Sequence, residues 1–304
     1  MKKSYYIDND SGLYTCYYPT NNTSTIAMIA MMGDNVDDAI AKCGVKYFHD
    51  FNINVLALSP GKNNYDFANY PIENIGKAIE YLEDKGMTKI GILGASTTAM
   101  VALIASSYYN TLSLTIALSP SDFVMEGYHI KKDVEIPANC STVTIAGIPQ
   151  MYVPFYYRGL VHDKMRKEEA KKTGNKIACK YIFDEAEHYH HVTDREVIKT
   201  EEINGSVVVI GAEDDALWDS VKYINRMKRR NDELSAKAQW HYLTYKYGTH
   251  FVYPDAIFKK LIPFGTQLLP NIMFKSARLH PEECKETRID IERKLKFIIN
   301  QWMK

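Results

Sequence analysis

An α/β fold with a mainly parallel, doubly wound sheet is predicted by three observations. Short apolar runs alternate with stretches of helical period along most of the chain. One such run, Lys89-Ile90-Gly91-Ile92-Leu93, stops at a small-residue turn tipped by Ser96, and a helix-like pattern follows at once. The alternation then breaks over about 121–200, a length that suits a cap inserted between two core strands. The 304 residues, 46% of them hydrophobic, suffice for one domain over 1–304 with a large buried core.

Each element has its own signal. Residues 1–22 read as one or two edge strands with polar turns, Asn9-Asp10-Ser11-Gly12 and Pro19-Thr20-Asn21-Asn22. The run from Thr25 to Met32 is continuously apolar, which marks a buried strand, and Gly33-Asp34-Asn35 ends it. A helix near 37–50, a strand at Asn54-Val55-Leu56-Ala57-Leu58 and a helix near 72–86 lead to the strand at 89–93. The helix after Ser96 runs to about Tyr108, and Leu112 to Ser119 is the next strand. The inserted stretch is rich in tyrosine and charge and carries a Lys/Glu-rich helix near 162–173. Strands at 206–211 and 240–245 and an amphipathic helix over 281–303 complete the alternation.

Composition excludes several function classes. Lys plus Arg and Asp plus Glu both number 37, so bulk charge gives no support to a nucleic-acid partner. The five cysteines, at 16, 43, 140, 179 and 284, include no C-x-x-C pair, which suits reduced thiols in the cytoplasm. The start of the chain lacks an apolar signal core, and no run approaches the roughly 20 apolar residues that span a bilayer. Neither phosphate-binding glycine motif is present, so no cofactor is implied. His188-Tyr189-His190-His191 matches no zinc spacing, and a polar cap surface is the expectation there, with no metal.

The turn at Gly94-Ala95-Ser96-Thr97-Thr98 has the strand–serine–helix layout of a nucleophile elbow. Such a turn lifts a hydroxyl above the sheet and places it at a helix N-terminus, where the next N–H is free for an oxyanion. The plainer reading is a serine N-cap. The fifth position calls for a small residue and holds Thr98, so the elbow closes only if the facing strand leaves room. In this layout the acid follows the nucleophile and the histidine comes last. Glu213-Asp214-Asp215 follows the Val-rich strand, and Asp215 is the candidate acid, with Asp214 one register step away. His250, after Gly248-Thr249 in the last strand–helix loop, is the candidate base. The oxyanion donors expected are the backbone N–H of Thr97 and that of Met32 or Gly33. Tyr152, Phe155, Tyr156 and Tyr157 are the expected aromatic substrate wall of the cap, and Lys131, Lys132 and Arg158 are its candidate phosphate contacts.

Residues about 25–303 resemble the C-terminal catalytic domain of the acyl-CoA thioesterase and bile acid-CoA:amino acid N-acyltransferase family, within the α/β-hydrolase fold. The likeness rests on Tyr70-Pro71 through Ala102 with its Gly-Ala-Ser elbow, on Glu213 to Trp218, and on Gly248-Thr249-His250. The Tyr152-Val153-Pro154-Phe155-Tyr156 run resembles a cap segment of that family. The resemblance implies Ser96 as nucleophile, Asp215 as acid and His250 as base. The acyltransferase branch uses cysteine, so a serine here implies a hydrolase. The family's elbow usually continues Ser-Lys-Gly, where this chain has Ser96-Thr97-Thr98, and longer members carry an N-terminal β-sandwich ahead of the core.

The expected activity is cleavage of a small-molecule ester or thioester, acyl-CoA among them, through an acyl-enzyme. The alternatives are an amide or peptide hydrolase with the same triad, and a degenerate hydrolase that serves as a binding protein, for which Thr98 is the supporting feature.

Overall fold

The computed structural model describes residues 2–10, 12–20, 23–61, 66–132 and 134–304. Ser11, Asn21 and Asn22 of the two expected polar turns lie outside the described residues. In chain order the first half contains β1 (Ser4–Asp8), β2 (Leu13–Tyr18), β3 (Ile26–Met31), α1 (Ala39–His49), β4 (Asn54–Ser59), β5 (Tyr70–Pro71), α2 (Glu73–Asp84), β6 (Lys89–Ala95), α3 (Thr97–Tyr108) and β7 (Leu112–Leu118). Then come β8 (Glu126–Lys131), β9 (Val134–Ser141), β10 (Val143–Ile145), β11 (Ile148–Pro149), α4 (Gly159–Thr173) and α5 (Lys180–Tyr189). The chain closes with β12 (Ser206–Ala212), α6 (Ser220–Glu233), β13 (Gln239–Tyr245), α7 (Asp255–Leu261), α8 (Leu268–Met273), α9 (Lys275–Leu279) and α10 (Pro281–Met303).

Eight strands form the main sheet in the order β1-β2-β4-β3-β6-β7-β12-β13. From β4 to β13 every neighbouring pair is parallel, and β1 and β2 join antiparallel at one end. The sheet is covered on both faces, and strand periodicity shows how. Ile92, Val207 and Val209 enter one apolar cluster, while Leu93, Val208 and Ile210 enter the other. Successive side chains of a strand point to opposite faces, so a continuously apolar run is what a doubly covered strand requires.

Of the two N-terminal strands, β1 lies at an edge of the main sheet. β2 pairs with β1 on one side and β4 on the other and is buried along its whole length, so of the one or two edge strands expected in 1–22 one is an edge. Its polar members escape burial cost through local bonds, such as the Thr15 hydroxyl to the Tyr6 carbonyl at 2.7 Å.

The chain leaves the main sheet between β7 and β12. Here β8 and β9 form an antiparallel hairpin, β10 pairs in parallel with β5, and α4 and α5 follow. A second departure, which periodicity did not predict, lies between β13 and α10. The segment 254–280 is broken into the short helices α7, α8 and α9, with Pro254 just before α7, Pro263 between α7 and α8, and Pro270 in the first turn of α8. The last helix has Pro281 in its first turn, where a missing N–H costs nothing, and packs Ile291, Leu295, Ile298, Ile299 and Trp302 against the sheet.

Candidate active site

β6 lies in the middle of the sheet between β3 and β7, and its C-terminal end carries Ser96. Ser96 has φ 59° and ψ −126°, a region that L-residues rarely occupy and that costs about 1–3 kcal/mol. The surroundings hold it there. Its N–H donates to the Leu118 carbonyl at 2.8 Å, and its own carbonyl accepts from Ala99 at 3.0 Å and Met100 at 3.3 Å. A Cβ on Gly94 would run into the carbonyl of Thr98, so this glycine is required by close approach.

Thr98 fits where a small residue was expected. Its hydroxyl lies 2.9 Å from the Met31 carbonyl and 2.8 Å from the Ala95 carbonyl, and it accepts the Ala95 N–H at 2.8 Å. The side chain therefore staples the elbow to the facing strand β3.

The two adjacent acids have separate partners. His250 Nδ1 is 2.9 Å from both carboxylate oxygens of Asp215. A carboxylate can only accept, so Nδ1 carries the proton it donates to Asp215, which leaves Nε2 as the other ring nitrogen. Asp215 Oδ1 also accepts the Leu217 N–H at 2.9 Å. Asp214 instead accepts the N–H groups of Gly248 at 2.9 Å and Thr249 at 2.7 Å and the Ser276 hydroxyl at 2.5 Å. Burial, with Asp215 close by, raises the Asp214 carboxyl above its ordinary value, while those three donors oppose the rise.

His250 is 5% exposed, and its Nε2 is buried with no hydrogen-bond partner among the described residues. Its carbonyl accepts the Ser119 hydroxyl at 3.0 Å. Ser96 and His250 are thus anchored to consecutive residues, Leu118 and Ser119, at the end of β7. The Trp218 ring meets the imidazole edge-on at 5.0 Å, with its own N–H bonded to the Ser119 carbonyl at 3.1 Å.

Thr97 is the first residue of α3, so its N–H is not used by the helix. Met32 is buried at the end of β3, and Gly33 follows at φ 82°. The Asp38 carboxylate fixes that loop by accepting the N–H groups of Asp34 at 2.8 Å, Asn35 at 3.1 Å and Ala41 at 2.8 Å.

The family model described as BAAT / acyl-CoA thioester hydrolase C terminal matches residues 71–257. The chain belongs to this family. Its elbow, both acids and His250 all fall inside the matched span. Among solved structures it is similar to an esterase of Pyrococcus furiosus, at 13% identity over 100% of this chain and 91% of that chain, with a TM-score of 0.54. It is also similar to a sugar hydrolase from Lactococcus lactis, at 12% identity over the full length of both chains, with a TM-score of 0.53. At such identities the likeness concerns the fold alone, which is that of the α/β hydrolases. No curated protein sequence matches the chain.

In this family member the segment between β7 and β12 reaches the elbow directly. The Tyr128 hydroxyl lies 3.0 Å from the Thr97 hydroxyl. Buried rings run from the inserted segment to the imidazole: Phe155 meets Phe183 at 5.4 Å, Phe183 meets Trp218 at 4.9 Å, and Trp218 meets His250. Of the four aromatics expected to form a wall, Phe155 joins this series and Tyr152 packs half-buried against the same cluster. Tyr156 is 49% exposed and stacks on Tyr189 at 4.1 Å, and the Tyr157 hydroxyl bonds to that of Tyr181 at 3.2 Å. Arg158 is committed to the buried Glu126 carboxylate at 2.6 and 2.7 Å. Lys131 and Lys132 are exposed at the tip of the β8–β9 hairpin. Sequence reasoning gave no part to Ser119, Tyr128 or Phe183. Trp218 stood in the quoted acidic run, but nothing in the sequence shows that its ring reaches His250.

Proposed function

We propose that this α/β hydrolase cleaves an ester or thioester through Ser96, His250 and Asp215 by way of an acyl-enzyme. The observation that carries the reading is the buried His250–Asp215 pair, whose unpartnered Nε2 belongs to a loop anchored beside the strained Ser96 turn. In the first step Nε2 takes the Ser96 proton as Oγ attacks the acyl carbon, and Asp215 stabilises the resulting imidazolium. The negative oxygen is held by the N–H of Thr97 and that of Met32 or Gly33. Collapse expels the alcohol or thiol, which takes its proton from His250. Water, deprotonated by the same nitrogen, then releases the acid and restores Ser96.

The binding-protein alternative rested on Thr98, and the bonds of its hydroxyl to Met31 and Ala95 support a closed elbow instead. All five cysteines are free thiols, which supports a reducing, cytoplasmic setting. Among the described residues no helix is long and apolar enough to cross a membrane.

A fluorophosphonate probe tests the mechanism. Covalent labelling of the wild type at Ser96, absent in Ser96→Ala, is expected. Labelling that persists in Ser96→Ala, or a wild type that stays unlabelled while folded, would overturn it. Parallel ester, thioester and peptide panels read the bond cleaved, and turnover confined to peptides would move the assignment to the amide alternative.

A further inference from the structure

The loop that carries His250 has a tether of its own. Residues Gly248 and Thr249 immediately precede the imidazole, and both donate their N–H groups to Asp214 Oδ1. Thr249 sits at φ 60°, in the left-handed region that a β-branched residue resists. It is 1% exposed, so the strained peptide has no water to fall back on. Two N–H bonds to one carboxylate oxygen hold it in place.

The second oxygen of Asp214 faces away from that loop and accepts the hydroxyl of Ser276 in α9. The segment around Ser276 also grips the inserted region at the end of α4. The Lys176 N–H donates to the Met273 carbonyl at 2.8 Å, and the Lys275 N–H to Asn175 Oδ1 at 2.7 Å. Arg278 reaches the Gly174 carbonyl at 2.5 Å. Phe274 packs edge-on against Phe251, the residue after His250, at 5.0 Å. An unbroken series of bonds therefore runs from the tail of α4, through 273–278 and Asp214, to the two residues before His250.

We propose that Asp214 is a positioning residue whose carboxylate sets the 248–249 backbone for His250, and that Ser276 makes this setting depend on the segment that clasps the inserted region. The proposal rests on the assignment of His250 as the base. Asp214 moves no proton in the reaction; it acts through the loop.

The test compares Asp214→Asn, Asp214→Ala and Ser276→Ala in the full chain, with 4-nitrophenyl butyrate as substrate. Asparagine keeps an oxygen that accepts both N–H groups and an amide that donates to the Ser276 oxygen, so it should retain most of the wild-type kcat. Alanine leaves the strained peptide untethered. Its kcat should fall on the order of a hundredfold, the scale of a small misplacement of a catalytic group, with KM near the wild-type value. Ser276→Ala should lower kcat less than Asp214→Ala, again with KM unmoved. The Nδ1 proton shared by His250 and Asp215 gives a second readout, a low-field proton resonance expected in the wild type and in Asp214→Asn and broadened away in Asp214→Ala.

Wild-type kcat with a sharp low-field proton in Asp214→Ala would overturn the positioning role. Equal damage from asparagine and alanine would assign the effect to charge and overturn it too. Wild-type kcat in Ser276→Ala would remove the link to the inserted region. If Asp214→Ala does not fold, Asp214→Ser, too short to serve both N–H groups, takes its place with the same outcomes. A wild type that neither turns over ester nor takes the fluorophosphonate label would sink the serine mechanism instead, and the low-field proton would still decide the role of Asp214.

Discussion

Thr98 is the residue at which the chain leaves the small-residue pattern of its elbow, and its hydroxyl explains why the turn still closes. Thr98→Val keeps the volume but removes the bonds to Met31 and Ala95, leaving the buried Ala95 N–H without an acceptor. A loss of about 1–3 kcal/mol in urea unfolding is expected, and an unchanged midpoint would show that the staple is not needed. Ser96 poses the reverse case. Its backbone conformation suits glycine, so Ser96→Gly should be about 1 kcal/mol more stable than Ser96→Ala. Both should lose turnover on the order of a millionfold. Equal stability of the two would mean that the turn carries no strain. The candidate nucleophile and base could be named from order and loop position, and the acid could be narrowed to one loop. Whether Asp214 or Asp215 meets the histidine could not, because adjacent residues in a loop share every sequence signal and differ only in direction.

Among the elements, those with a clear period were the legible ones. β3, β6, β7 and β12 are apolar over most of their length because both faces are covered, and α10 shows its apolar stripe over Pro281–Met303. β2 misled because its polar residues and flanking turns suggest an edge, while pairing on both sides buries it. The β8–β9 hairpin and the helices α7 to α9 are short and carry mixed patterns, each giving only a few residues, such as Tyr128 and Ile257, to the core. Within α10, Asp290 gives a pH prediction. Burial alone would raise its carboxyl, but Lys294, Arg293 and Tyr245 outweigh burial and hold it at about 2. A carboxyl lowered on folding contributes stability that is complete above its unfolded pKa, near 4, and is lost as pH falls through the folded value. Asp290→Asn should therefore lower the thermal midpoint at pH 6 and lower it much less near pH 2. An equal shift at both pH values would assign the effect to packing.

For the whole molecule, charge and burial bear on the leaving group. The 37 basic and 37 acidic residues balance, so no broad cationic field draws a polyphosphate toward Ser96. Local recognition would need unspent cations near the inserted region. Arg158 is neutralised by Glu126, a carboxylate with no exposed surface, and breaking that pair to bind a phosphate would strand a buried charge. A cleft of about 550 Å³ beside α4 is lined by Arg166, Lys167 and Lys176, but Arg166 lies 3.3 Å from Glu135 and Lys167 lies 2.6 Å from Asp163. Lys176 adds one cation to that cleft, and of the candidate phosphate contacts Lys131 and Lys132 remain, exposed on a hairpin tip, where an ion pair contributes about 0–1 kcal/mol. These terms predict that the enzyme gains little from the CoA moiety. The kcat/KM for an acyl-CoA should stay within about tenfold of that for the matching simple thioester, since 1.4 kcal/mol separates a factor of ten. Lys131→Ala with Lys132→Ala should leave the ratio in place, and raising salt should change it little. A preference for acyl-CoA of a hundredfold or more, abolished by that double substitution, would show that the hairpin tip is a phosphate site after all.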